Sequence, residues 1–263
     1  MDEISWSLSG GIGTITLNRP QARNAFTFSM VREWERMLRE AREDERVRVV
    51  VLTGAGDRAF CSGVDLGSIS NADRTLTPLE RKSQLHEEIH RVARAAEALD
   101  KPLIAAINGV AVGAGLDMAL MCDMRIMSST AKLSEGYVRV GLTPGDGGAY
   151  YLPRLVGTSK ALELLLTGDF VDAAEAHRIG LVNRVVPAES FAEETQKFAE
   201  SIAAHAPVTV RMIKRITYQS ADADLRTALD LASSHFAVVA ATEDSAEALS
   251  AMKEKREPVY RGR

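Results

Sequence analysis

Residues 60–66 read FCSGVDL, and residues 101–123 read KPLIAAINGVAVGAGLDMALMCD. In each, an apolar run ends in small residues and leads straight into an apparent helix start. The first N–H groups of a helix have no partner inside it. Two such starts facing one point supply a pair of main-chain donors to a single oxygen. That is the arrangement of an oxyanion hole, and it sets a class of chemistry before any side chain is considered.

Around these blocks the chain alternates between strand and helix patterns. Residues 4–8 and 13–17 predict a hairpin across Ser9-Gly10-Gly11. Met30, Trp34, Met37, Leu38 and Ala41 keep helical spacing over residues 29–43. Residues 47–53 (VRVVVLT) and 103–107 read as strands buried on both faces. A helix is predicted over 79–99, with Leu85, Ile89, Val92, Ala96 and Leu99 as one stripe, stopped by Lys101-Pro102. Short strands follow at 124–127 and 132–133, helices at 147–156 and 160–166, then a helix at 172–179 and a strand at 181–186. Residues 67–77 are polar and read as a mobile loop. Of the 19 glycines only Gly262 lies beyond residue 206. That shift divides the chain into a mixed core, 1–206, and a helical region, 207–263.

Composition narrows the function. A formal charge of −4 leaves no basic footprint for nucleic acid. The longest apolar run, residues 103–116, is broken by Asn108, Gly109, Gly113 and Gly115, and is too short to span a bilayer. The start, MDEISWSL, lacks the features of a signal peptide. Cys61 and Cys122, with no CxxC spacing, suit a reducing cytoplasm better than a disulfide framework.

The ordered blocks resemble the crotonase superfamily, the enoyl-CoA hydratases and isomerases. They are LNRPQARNAF (17–26), FCSGVDL, the 101–123 block, VGLTPGDGGAYYLPRLVG (140–157), ALELLLTG (161–168) with DAAEAHRIGLVNRVV (172–186), and MKEKREPVY (252–260). The resemblance implies an α/β spiral of ββα units with a helical C-terminal trimerisation region, assembled as a homotrimer or a dimer of trimers. It also implies an acyl-CoA substrate, with coenzyme A present only as part of that substrate and no metal or redox cofactor. The main-chain N–H groups of Val64 and Ala114 would receive the charge of a thioester enolate. Backbone at Ala22, Arg23 and Ala25 would cradle the adenine end, and Val64, Asp65 and Leu66 would lie along the pantetheine. Lys255 would approach the coenzyme A phosphates from a neighbouring subunit, and Arg23 is a further basic candidate.

Hydratases of this family carry two glutamates, and here the matching positions are Asp117 and Tyr137. Two carboxylates can hold a water over a double bond, whereas neutral tyrosine, with a pKa near ~10, is a donor and a poor base. Isomerisation needs one base, which Asp117 can be. Loss of carbon dioxide from a malonyl-type thioester, or acyl-CoA binding without turnover, are the alternatives. Glu135, two residues before Tyr137, reads as a solvated or ion-paired residue, and Asp146 as a helix N-cap. Asp65 reads as a brace for its own turn.

Two other motifs are weaker. His86-Glu87-Glu88-Ile89-His90 matches HExxH, but Ala93 and Ala96 replace the extended zinc pattern, and His90 fits better as a pocket residue. Gly54 to Ala59 fits GxGxxA, but residues 60–63 are expected to continue as loop where a dinucleotide fold starts a helix.

Overall fold

The computed structural model describes residues 2–65, 67 and 75–263. The predicted site residue Leu66, most of the polar stretch 67–77 and the helix expected after FCSGVDL lie outside the described residues.

The hairpin forms as β1 (Ile4–Ser9) and β2 (Ile12–Leu17), antiparallel, with Gly10 and Gly11 in the turn. Helix α1 (Phe28–Glu43) is capped by Thr27, whose hydroxyl accepts the Met30 N–H. It buries Met30, Val31, Trp34, Met37, Leu38 and Ala41. Each fully buried Met, Val or Leu side chain contributes about 1.5–3 kcal/mol.

Strand β3 (Val49–Gly54) runs parallel to β2 and to β5 (Leu103–Ile107). Side chains alternate across a sheet. Val50 and Leu52 therefore join the main core, while Val49 and Val51 join a second core with Phe198, Ala199 and Ala203. Those three belong to α8 (Phe191–Ala203). With β7 (Met124–Ser128) and β10 (Arg184–Val186) added, the sheet order is β1-β2-β3-β5-β7-β10.

A second sheet, ordered β4-β6-β8-β9, stands beside it. Its strands are short: β4 (Ala59–Cys61), β6 (Val110–Val112), β8 (Lys132–Ser134) and β9 (Val171–Asp172). The segment after GAGD is thus strand at residues 59–61, not the loop expected there. β4, β6 and β8 are parallel neighbours, with Cys61 beside Ala111 and Val112 beside Ser134. Parallel strands end on the same side. The segments that leave β4, β6 and β8 therefore emerge next to one another, as functional loops do at the carboxyl ends of parallel sheets.

The helix expected over 79–99 is interrupted. It forms as α2 (Pro78–Gln84), a π-helical turn (Leu85–Ile89) and α3 (His90–Ala98). Single π turns of this kind recur at functional sites. Helix α4 (Ala114–Leu120) follows β6 and is buried along its whole length. Gly115 permits this, because a Cβ there would overlap the Cys61 carbonyl oxygen. Replacing Gly115 by alanine is expected to destabilise the fold by about 1–3 kcal/mol through that overlap. Thermal unfolding checks this: an unchanged Tm contradicts the close approach.

Past β8 come a 3-10 turn (Gly136–Val140), α5 (Gly148–Val156), α6 (Thr158–Thr167) and α7 (Ala173–Arg178). The C-terminal part is helical, as α9 (Pro207–Ala221), α10 (Leu225–Ala240) and α11 (Glu243–Glu254). Among the described residues no helix is long and apolar enough to cross a membrane.

Candidate active site

The three adjacent strand ends deliver Gly63-Val64, Gly113-Ala114 and Glu135-Gly136-Tyr137 to one place. Val64 forms an isolated parallel bridge with Phe26. In it the Phe26 N–H donates to the Gly63 carbonyl (2.9 Å), and the Asp65 N–H donates to the Phe26 carbonyl (2.9 Å). Amides alternate in direction along an extended chain, so the Val64 N–H points to the other side. It makes no hydrogen bond among the described residues.

Ala114 is the first residue of α4, and its N–H has no partner within the helix. Gly113 before it has φ 52°, a left-handed conformation that favours glycine. Two contacts fix where these groups stand. A Cβ on Gly63 would lie 3.7 Å from the Ala114 nitrogen, and one on Gly113 would lie 3.6 Å from the Tyr137 ring. The turn carrying Val64, the Ala114 amide and Tyr137 are therefore near neighbours, and the start of α4 adds its positive dipole end.

Asp117, in the first turn of α4, is fully buried. Its Oδ2 accepts the Tyr137 hydroxyl at 2.7 Å and the Asp146 N–H at 3.2 Å. The same hydroxyl lies 2.9 Å from Asp146 Oδ2. Glu135 and Asp146 are also buried, at 2% and 5% exposure. Two carboxyl groups thus meet the phenol, and Glu135 stands beside Asp117.

Two expectations are corrected here. Glu135 is neither solvated nor ion-paired. The 3-10 turn after it folds its side chain inward, and both its oxygens are buried without a donor. Asp146 is not the N-cap of α5. Gly147, at φ 114°, takes that position, and Asp146 faces Tyr137 instead.

Burial raises the pKa of each carboxyl, because removal from water disfavours its charge. Asp117 is pushed up to about 6 by burial. The hydrogen bond from Tyr137 opposes that rise, and the neighbouring Asp146 carboxyl adds to it. Glu135 rises further, through burial and then the negative charge of Asp117. A neutral Glu135 can donate to Asp117, turning a carboxylate repulsion into a hydrogen bond. Gly148 leaves room for the pair: a Cβ there would overlap Asp117 Oδ1 and stand 2.9 and 3.1 Å from the Glu135 oxygens. Tyr137 is raised by burial and by the neighbouring Asp117 and Asp146 carboxyls, so it stays a neutral donor.

Asp65 braces its turn as its sequence suggests. Its Oδ2 pairs with Arg19 at 2.6 Å, and its Oδ1 accepts the Gly67 N–H at 2.8 Å. Arg19, which drew no attention in the sequence, also donates to the Ala25 carbonyl and pairs with Glu3. No local pattern could have shown it, because Arg19 and Asp65 meet only through the fold.

Arg23 and Asn24 hold φ 52° and 55°, a strained pair kept in place by the buried Asn24 side chain. Asn24 donates to the carbonyls of Ala55 (3.0 Å) and Ala59 (2.7 Å). Ala22 and Arg23 give their carbonyls to Ser62, which ties this segment to the FCSGVDL turn. The Arg23 side chain is exposed. Lys255 is exposed at the left-handed end of α11, away from this cluster in sequence and in hydrogen bonding.

In the HExxH segment, His90 Nε2 donates to the Gly145 carbonyl at 2.7 Å, which places this ring beside the Asp146 loop. Among the described residues no group of three or more His, Cys, Asp or Glu could hold a metal ion.

Known proteins are similar to this chain in fold and in sequence. A family model described as Enoyl-CoA hydratase/isomerase matches residues 7–263. A short-chain-enoyl-CoA hydratase of Clostridium acetobutylicum is 38% identical, over 97% of this chain and 96% of its own. The 2,3-dehydroadipyl-CoA hydratase of Escherichia coli is 34% identical over the full length of both. The crystal structure of an enoyl-CoA hydratase from Bacillus anthracis superposes with a TM-score of 0.94 at 35% identity, covering all of both chains.

Proposed function

The chain belongs to the enoyl-CoA hydratase/isomerase family, and from that premise we propose how its own residues act on an enoyl-CoA thioester. The Val64 and Ala114 N–H groups form the oxyanion hole. Asp117 removes a proton beside the thioester carbonyl, and the charge that collects on the carbonyl oxygen is held by the two amides. Coenzyme A enters only as part of the substrate, and no further cofactor takes part.

Double-bond isomerisation of a 3-enoyl-CoA to its conjugated isomer is the reaction the site supports best. One observation carries this reading. The Tyr137 hydroxyl stands between Asp117 and Asp146, where a hydratase needs an open gap between two carboxylates for water. Incubation with crotonyl-CoA and with a 3-enoyl-CoA, followed by mass and ultraviolet absorbance, tests it. Bond migration without a gain in mass is expected. Addition of water to crotonyl-CoA at a comparable rate contradicts it.

The base must be ionised to act. Since burial lifts Asp117 to about 6, kcat/KM is expected to fall as pH drops through that value. A rate that stays level down to the ordinary aspartate range, near ~4, contradicts the assignment.

Arg23, exposed beside the Ala22 and Ala25 backbone, and Lys255 are proposed to meet the coenzyme A phosphates, with Lys255 reaching a neighbouring subunit. We take residues 1–206 as the catalytic core and 207–263 as the assembly region. No residue of α9 or α10 is buried, and Leu225, Leu229 and Phe236 are 74%, 61% and 74% exposed along one face of α10. Apolar surface of this kind marks a contact between chains. A homotrimer or a dimer of trimers is expected by light scattering on the purified protein, and a 28.5 kDa monomer contradicts it. Both cysteines are free and buried, which supports a cytoplasmic setting.

A further inference from the structure

A phenol has one hydrogen to donate. The Tyr137 oxygen nevertheless lies 2.7 Å from Asp117 Oδ2 and 2.9 Å from Asp146 Oδ2, both on buried side chains. With both carboxyls ionised, one would press its lone pairs against those of the phenol, with no water to relieve it. One additional hydrogen satisfies both distances. It sits on one carboxyl, which donates to the phenol oxygen, while the phenol donates to the other.

The remaining partners show which carboxyl is which. Asp117 Oδ2 accepts a second donor, the Asp146 N–H. An ionised carboxylate collects donors in this way. Among the described residues the Asp146 carboxyl has the phenol as its one hydrogen-bond partner, against two for Asp117, while the Oδ1 atoms of both acids are buried without a partner. Other titratable groups surround the pair: Glu135 from the end of β8, His90 from α3 and Tyr151 from α5. His90 is tied by Nε2 to the carbonyl of Gly145, directly before Asp146, which fixes the loop that carries the acid.

Building on the isomerase reading, we propose that Asp146 is a second catalytic residue, the acid partner of the base Asp117, and that Tyr137 carries the proton back between them after each turnover. Asp117 takes a proton from C2 of a 3-enoyl-CoA. The C–H electron pair moves toward the carbonyl, whose oxygen becomes the enolate held by Val64 and Ala114. The carbonyl then re-forms, the C1=C2 pair becomes C2=C3, and the former C3=C4 pair takes the proton of Asp146 at C4. The product is the 2-enoyl-CoA, with Asp117 now neutral and Asp146 ionised. Asp117 gives its proton to the Tyr137 oxygen as the Tyr137 hydrogen passes to Asp146, and the starting state is restored. No outside oxidant, reductant or water is consumed.

The test uses the full chain with trans-3-hexenoyl-CoA in deuterium oxide. Mass spectrometry follows solvent exchange at C2, and absorbance follows the conjugated product. For Asp146→Asn, exchange at C2 is expected to stay within about 3-fold of wild type while isomerisation falls about 100-fold or more, since only the acid is lost. Tyr137→Phe is expected to release one product per site in a burst and then turn over more slowly, because the proton on Asp117 must leave by slower solvent exchange once the phenol is gone. Isomerisation by Asp146→Asn at the wild-type rate, or an equal loss of exchange and isomerisation, overturns the proposal. So does Tyr137→Phe turning over evenly from the first cycle. A wild-type enzyme that neither exchanges nor isomerises overturns the isomerase reading itself, and this result is distinct from the other three.

Discussion

Asp117→Asn is expected to lower kcat/KM by about 100- to 10,000-fold, the usual contribution of a positioned acid or base. The asparagine fits the site. Its oxygen can still accept the Tyr137 hydroxyl and the Asp146 N–H that now reach Asp117 Oδ2. Its amide nitrogen then faces Glu135, whose oxygens have no donor in the wild-type cluster. The fold and acyl-CoA affinity are therefore expected to survive while proton transfer is lost. Steady-state kinetics with a 3-enoyl-CoA, beside calorimetric titration with a saturated acyl-CoA, separates the two effects. Turnover within a few-fold of wild type removes Asp117 from the chemistry. Loss of binding and turnover together points to a collapsed site instead.

The second large effect concerns a main-chain group, which side-chain truncation cannot reach. Ala114 is the first residue of α4. Proline is tolerated there because its fixed φ suits a helix start and the N–H it lacks has no partner in the helix. Ala114→Pro therefore deletes one oxyanion donor and leaves the helix in place. Removal of a single donor costs about 100- to 1000-fold in kcat in acyl-transfer enzymes. A loss of that size is expected here, with circular dichroism and Tm near wild type. A fully active Ala114→Pro enzyme contradicts the oxyanion assignment, since no other atom of that residue is asked to act.

The large sheet was legible because its signal is local. VVVL (49–52) and LIAAI (103–107) are uninterrupted apolar runs, and the structure buries alternate residues in two separate cores. The short sheet was harder to read. β4 and β6 hold three residues each and lie among glycines, so no periodicity can develop. For β4 the result was a strand taken for a loop. The π turn at Leu85–Ile89 was hidden for a related reason, because one unbroken apolar stripe spans it.

In the site, Val64, Ala114, Asp117 and Tyr137 came from ordered blocks, and the fold does bring their segments together. Glu135 and Asp146 were misread because their surroundings are not local. An acid before a glycine usually meets water, and an acid before a helix usually caps it. Here the 3-10 turn and the positive φ of Gly147 turn both inward, Glu135 toward Asp117 of α4 and Asp146 toward Tyr137. Only the pairing of β6 with β8 puts Asp117 and Glu135 on neighbouring segments.

The most direct test of the central claim is a crystal structure with a bound acyl-CoA thioester. The thioester oxygen is expected about 2.7–3.1 Å from the nitrogens of both Val64 and Ala114. An oxygen that contacts neither amide, or one alone, with the acyl chain directed away from Asp117, contradicts the account.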